Sequence, residues 1–177
     1  MYIPVNTLFG AFLDICRFKL GPQDIPASSF LLGLTLVAYT LFSAGFAFVQ
    51  MPVGPALLAG VVNSTMMVGC TLVALQFRGV PERLKQTVTS LAGAGIIVSL
   101  IALPIIIWLD AAGENQEEAF VPALLWLCLF FWDLLITAHI LRHALSIRFT
   151  VGVLVALIYT WLLYSVINAS VPVSLTS

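Results

Sequence analysis

Charge is what this sequence has least of. Only 8% of its 177 residues are Asp, Glu, Lys or Arg, while 61% are hydrophobic. Soluble domains carry about 25% charged and about 45–50% apolar residues, so a water-soluble globule is excluded. Seven Lys plus Arg stand against eight Asp plus Glu, which leaves no basic reserve to neutralise a run of phosphates. Nucleic acid is therefore not an expected partner.

Cysteine is scarce too. Cys16, Cys70 and Cys128 are the only three, an odd number with no CxxC pair, so neither a disulfide scaffold nor a zinc site is expected. Enzyme signatures are missing as well: there is no GxSxG elbow and no GxxxxGK[ST] phosphate cradle. A single carboxylate inside the apolar segments is too few for a paired-aspartate protease. The chain thus reads as non-catalytic, with no metal and no cofactor. Residues Met1 to Leu20 carry no basic region ahead of an apolar core, so they read as a retained segment rather than a cleaved signal peptide.

What is present is length in apolar runs. A membrane helix needs about 20 apolar residues, because the hydrocarbon core is about 30 Å thick and each residue advances about 1.5 Å. Five stretches meet this, at about 30–51, 55–77, 88–109, 120–141 and 149–171. The fold class expected is an all-α membrane protein, a five-transmembrane helix bundle occupying 29–171, with a cytoplasmic N-terminal segment over 1–28 and a short outward tail over 172–177. Strands are excluded because unpaired strand edges leave backbone polar groups unsatisfied in lipid.

The basic residues set the orientation. Arg17 and Lys19 precede the first span; Arg78, Arg83 and Lys85 lie between the second and third; Arg142 and Arg148 lie between the fourth and fifth. By the positive-inside rule this face is cytoplasmic, giving an inner-membrane protein with its N-terminus inside and its C-terminus outside. The opposite face carries the acidic loop Asp110 to Glu118. Residues Asn6 to Leu20 read as an amphipathic helix lying in the cytoplasmic interface, with Asp14 and Arg17 facing water. Ser28 or Ser29 is expected to cap the first span.

Asp133, in the fourth span, is the most unusual residue. It sits too deep for a short side chain to reach water, and a charged group there costs on the order of 2.5–3.5 kcal/mol to insert. It is expected to face the bundle interior and to take a hydrogen bond from the hydroxyl of Tyr39, Thr71 or Tyr159. An interior clasp, a proton or ion relay, and a salt bridge to a cytoplasmic cation all fit such a group. Asn63 is the second buried polar residue, flanked by the small-residue stripe Ala56, Gly60 and Ser64; a similar stripe around Gly93 and Gly95 in the third span is its expected partner, in this chain or in a second copy. His139 and His143, at i and i+4, read with Arg142 as an interfacial cluster meeting lipid headgroups or the helix C-terminus rather than as a metal site.

The segment Arg17 to Ser28 (RFKLGPQDIPAS), the turn Arg83-Leu84-Lys85-Gln86-Thr87, the small-residue opening Ala92 to Gly95 and the five closely spaced spans resemble the small bacterial members of the Yip-domain family. That resemblance implies a non-catalytic integral membrane protein acting through protein or lipid contacts. The leading expectation is an adaptor or scaffold whose partners are membrane lipids and a membrane-protein complex or a homo-oligomer. The alternative is a small transporter or channel subunit using Asp133 as its coupling carboxylate, with Asn63 further along the same path.

Overall fold

Each apolar run closes its own backbone hydrogen bonds as a helix, and the caps explain where each one stops. The computed structural model describes residues 5–113 and 115–170, the side chains of 5–7, 167, 168 and 170 aside. Helix α1 spans Val5–Cys16, α2 Ser29–Phe48, α3 Val53–Phe77, α4 Leu84–Ala112, α5 Gln116–Leu145 and α6 Phe149–Ser170. Five of these, α2 to α6, are long and apolar enough to cross a membrane, and no strand occurs among the described residues. The expected tail over 172–177 lies outside the described residues. Ser28 is the cap of α2, its hydroxyl accepting from Leu31 N at 3.3 Å, and Asn115 does the same for α5, accepting from Glu117 N at 3.2 Å. Gly113, at φ 54°, ends α4 in a conformation that costs a side chain but not glycine.

Going round the bundle, α4 packs on α2, α2 on α3, α3 on α6, α6 on α5, and α5 back on α4. The N-terminal half of α4 is the hub: every residue from Thr87 to Ala94 is buried. A helix buried on all sides needs small residues, and Thr89, Ser90, Ala92, Gly93 and Ala94 supply them.

The small-residue stripes do not pair with each other as expected. Gly60 of α3 lies against Thr40 O and Ala44 of α2, and Ser64 Oγ meets Thr40 Oγ1 at 2.6 Å. Gly93 of α4 takes the ring of Phe12 from α1, while Gly95 takes the ring of Tyr39 from α2. Each notch is filled by whichever partner has the complementary shape, and the sequence of one helix does not name that partner.

Helix α1 makes a contact that its own sequence does not name. The segment is helical, and one face of it docks on the bundle: Phe12, Ile15 and Cys16 are buried against α4 and α5, while Phe9 on the other side is 50% exposed. Gly93 is nine residues into α4, which puts the seat of Phe12 about 14 Å from that helix's start at about 1.5 Å per residue. Beyond Cys16 the chain turns through the exposed Arg17, Phe18 and Lys19, and the carbonyls left over at this helix end and in the turn need donors. The donors come from α5: Trp132 Nε1 donates to Cys16 O at 3.2 Å, and His139 Nε2 donates to Leu20 O at 2.9 Å. His139 is accordingly buried, not part of a wet cluster.

Cys16 reports on this docking. Burial, with Asp133 adding to it, pushes its thiol up to about 12, so it carries almost no thiolate nucleophile below that pH. N-ethylmaleimide at pH 7 is expected to leave Cys16 unmodified in the native protein. In a Trp132→Phe, His139→Ala double variant, which strips both donors, modification of Cys16 read by peptide mass spectrometry should become at least tenfold faster.

The end of the bundle that carries the basic residues is held by arginine. Arg78 Nε donates to Leu145 O at 3.1 Å, and Arg83 Nη1 donates to Ala144 O at 2.9 Å and Ser146 Oγ at 2.8 Å. These cations close the C-terminal carbonyls of α5, where the helix dipole also favours them. Arg83→Ala is expected to cost about 1.5–3 kcal/mol, the range for hydrogen bonds from a charged donor. A fall in melting temperature in mild detergent measures it, and an unchanged melting temperature would contradict the cap.

Candidate functional site

Between α2, α3, α4 and α5 the helices leave a cavity of about 150 Å³, room for several water molecules. Its polar side chains are Tyr39 and Ser43 from α2, Asn63 from α3, Ser99 from α4 and Asp133 from α5. Tyr39 and Ser43 are four residues apart, so they share one face of α2. Asn63 Nδ2 bridges them, donating to Tyr39 Oη at 3.1 Å and to Ser43 Oγ at 2.9 Å. Tyr39 reaches this position because Gly95 leaves space for its ring. Phe46 of α2 and Trp126 of α5 stack across the same cavity, with centroids 5.5 Å apart and planes 15° from parallel.

Asp133 is the exception in this network. It lines the cavity beside the tyrosine and the amide, yet among the described residues no side chain donates a hydrogen bond to it and no cation pairs with it. It lies 12 residues from the C-terminal end of α5 at Leu145, about 18 Å of helix at about 1.5 Å per residue. A carboxyl at that depth with no protein partner is costly unless something in the cavity compensates it.

Three of the residues expected to form an intramembrane cluster, Asp133, Asn63 and Tyr39, therefore meet at one cavity. The expected hydrogen bond from a hydroxyl to Asp133 is not made among the described residues; the Tyr39 oxygen instead accepts from Asn63 Nδ2. Thr71 and Tyr159 do not line this cavity; they line an apolar groove between α3, α5 and α6. Thr71 faces it with its hydroxyl buried and unpaired. Sequence reasoning missed Ser43, which its spacing from Tyr39 points to, and the Phe46–Trp126 stack, which no local pattern reveals.

The basic residues gather at another level, around the helix ends at one end of the bundle. Arg17, Lys19 and Arg148 are exposed, and Lys85 Nζ donates to Ser29 Oγ at 2.8 Å. The rings of His139 and His143 approach edge to face at 4.7 Å, and no cluster of three or more metal-ligating side chains occurs among the described residues. No family model, curated protein or solved structure matches this chain.

Proposed function

We propose that the protein is a non-catalytic, multi-pass protein of the bacterial inner membrane that binds a small monovalent cation or protonated amine in the Asp133 cavity. In this reading it serves as a small transporter or channel subunit. The observation that carries this is the partnerless Asp133 carboxyl at a cavity within the bundle whose otherwise apolar walls also hold Tyr39, Ser43, Asn63 and Ser99. The carboxylate supplies charge, while Tyr39, Ser43, Asn63 and Ser99 supply oxygen or amide dipoles in place of a hydration shell, which is how intramembrane sites usually offset the loss of water.

An adaptor of Yip-like type draws less support. The apolar face of α1 that would meet a partner is turned into the bundle, and Arg78 and Arg83 are engaged on α5. The basic end is read as cytoplasmic by the positive-inside rule.

The test is flux in proteoliposomes holding the full chain, with gradients of Na⁺, K⁺, methylammonium or protons imposed in turn. One of the four is expected to move faster than in empty liposomes. Four gradients that dissipate at the empty-liposome rate would end the proposal.

A further inference from the structure

A second cavity, of about 330 Å³, opens at the inner end of the bundle between α5, the start of α6 and the turn after α1. Its walls are Phe18, Leu135 and Phe149, with His139 and Arg142 as the polar members. Arg142 accepts no help from the protein. Its side chain forms no ion pair or hydrogen bond among the described residues, its Nε is buried without a partner, and its guanidinium carbon lies 5.4 Å from the centroid of the Phe149 ring. His139 does not share its load, because its Nε2 is committed to Leu20 O.

Phe18 adds an independent observation. Its φ is 62°, the left-handed conformation that usually falls to glycine where a helix ends, and the end of α1 has that form: Lys19 N donates to Asp14 O at 2.8 Å. A side chain there costs roughly 1–2 kcal/mol in backbone strain. The phenyl ring nevertheless stands edge-on to His139 at 5.3 Å and is 40% exposed, so it walls the cavity without being core.

We infer that this cavity holds the phosphodiester headgroup of an anionic phospholipid, with Arg142 as its cationic donor. Guanidinium donors match the paired oxygens of a phosphate, and the stacked ring leaves Arg142 positioned for them. The same chemistry is found in free phosphate, but the walls choose between the two. Phe18, Leu135 and Phe149 all present partly exposed apolar surface, which a hydrated ion gains nothing by touching and which a glycerol backbone and the first carbons of an acyl chain cover well. The charge of this end of the bundle agrees, since every Lys and Arg of the chain lies there. The site is separate from the Asp133 cavity, so either can fail without the other.

Titration of the detergent-purified full chain with dioctanoyl phosphatidylglycerol, followed by native mass spectrometry, tests this. The wild type should take up one lipid per chain at saturation. Arg142→Gln should weaken that uptake about tenfold, Arg148→Gln should leave it unchanged, and inorganic phosphate at equal concentration should not compete. Phe18→Gly relieves the strained backbone, so it should fold at least as well as the wild type yet bind the lipid several-fold more weakly. Wild-type lipid uptake in Arg142→Gln or in Phe18→Gly would overturn the assignment. Full competition by inorganic phosphate would overturn the lipid as the source of the anion.

Discussion

Gly60→Val is expected to leave little folded protein. A β-carbon at this position would stand 2.7 Å from Thr40 O, 2.9 Å from Ala44 Cβ and 3.0 Å from Ala44 N. Two of those atoms are backbone, so no rotamer change relieves the contact and α2 itself must retreat. Retreat of α2 also breaks what crosses the same interface, namely the Thr40–Ser64 contact and both hydrogen bonds of Asn63. Overpacking costs about 1–3 kcal/mol and each of the three interhelical hydrogen bonds about 0.6–2 kcal/mol, so a loss of about 3–9 kcal/mol is expected, a large fraction of a typical domain's stability. Gly69→Ala is the matched control, since a β-carbon there meets nothing within 4 Å. The comparison is read as the yield of monodisperse protein and its melting temperature in one detergent. A Gly60→Val variant that melts with the wild type would show that α2 and α3 do not approach so closely.

Asp133→Asn is expected to do the opposite: to spare the fold and abolish the activity. The amide has nearly the shape of the carboxyl but no charge, and no described residue depends on that carboxyl for a hydrogen bond. Melting temperature and membrane abundance should hold or rise slightly, because a partnerless acid inside the bundle opposes folding. The flux found in the wild type should fall at least 100-fold, because a cation that has shed its water would face a site with dipoles but no countercharge. An interior clasp predicts the reverse, a fall in abundance and melting temperature in a protein that never carried flux. Measuring both quantities on the same preparation separates the two.

The five spans were legible in the sequence because length and apolarity are properties of a single helix. Boundaries moved by only a few residues, chiefly at α4 and α5, which extend beyond the hydrocarbon length to Ala112 and Leu145. Which faces meet was not legible. In lipid an apolar face is satisfied by acyl chains or by protein alike, so the pattern of Asn6 to Leu20 describes a surface helix and a docked one equally well. Shape decided it, through the notch at Gly93 that Phe12 fills, together with the donors Trp132 and His139 that close the end of the helix.

The site divides in the same way. Asp133 and Asn63 stand out in sequence because polar groups within apolar runs are costly, and the structure brings both to one cavity with Tyr39. That the Tyr39 hydroxyl goes to Asn63 rather than Asp133 depends on the rotation of α2 against α3, which no single run encodes. Thr71 had the right depth but the wrong face, and it lines a groove on the other side of α3.

The most direct measurement is covalent labelling of the purified protein with dicyclohexylcarbodiimide, an apolar reagent that adds to a carboxylic acid within a membrane protein and rearranges to a stable N-acylurea. If Asp133 is partnerless and its cavity takes a small cation, peptide mass spectrometry should find the adduct on Asp133, and the transported cation should slow its formation in proportion to its occupancy. An unlabelled Asp133, or labelling at the same rate with and without each of Na⁺, K⁺ and methylammonium, would contradict the account.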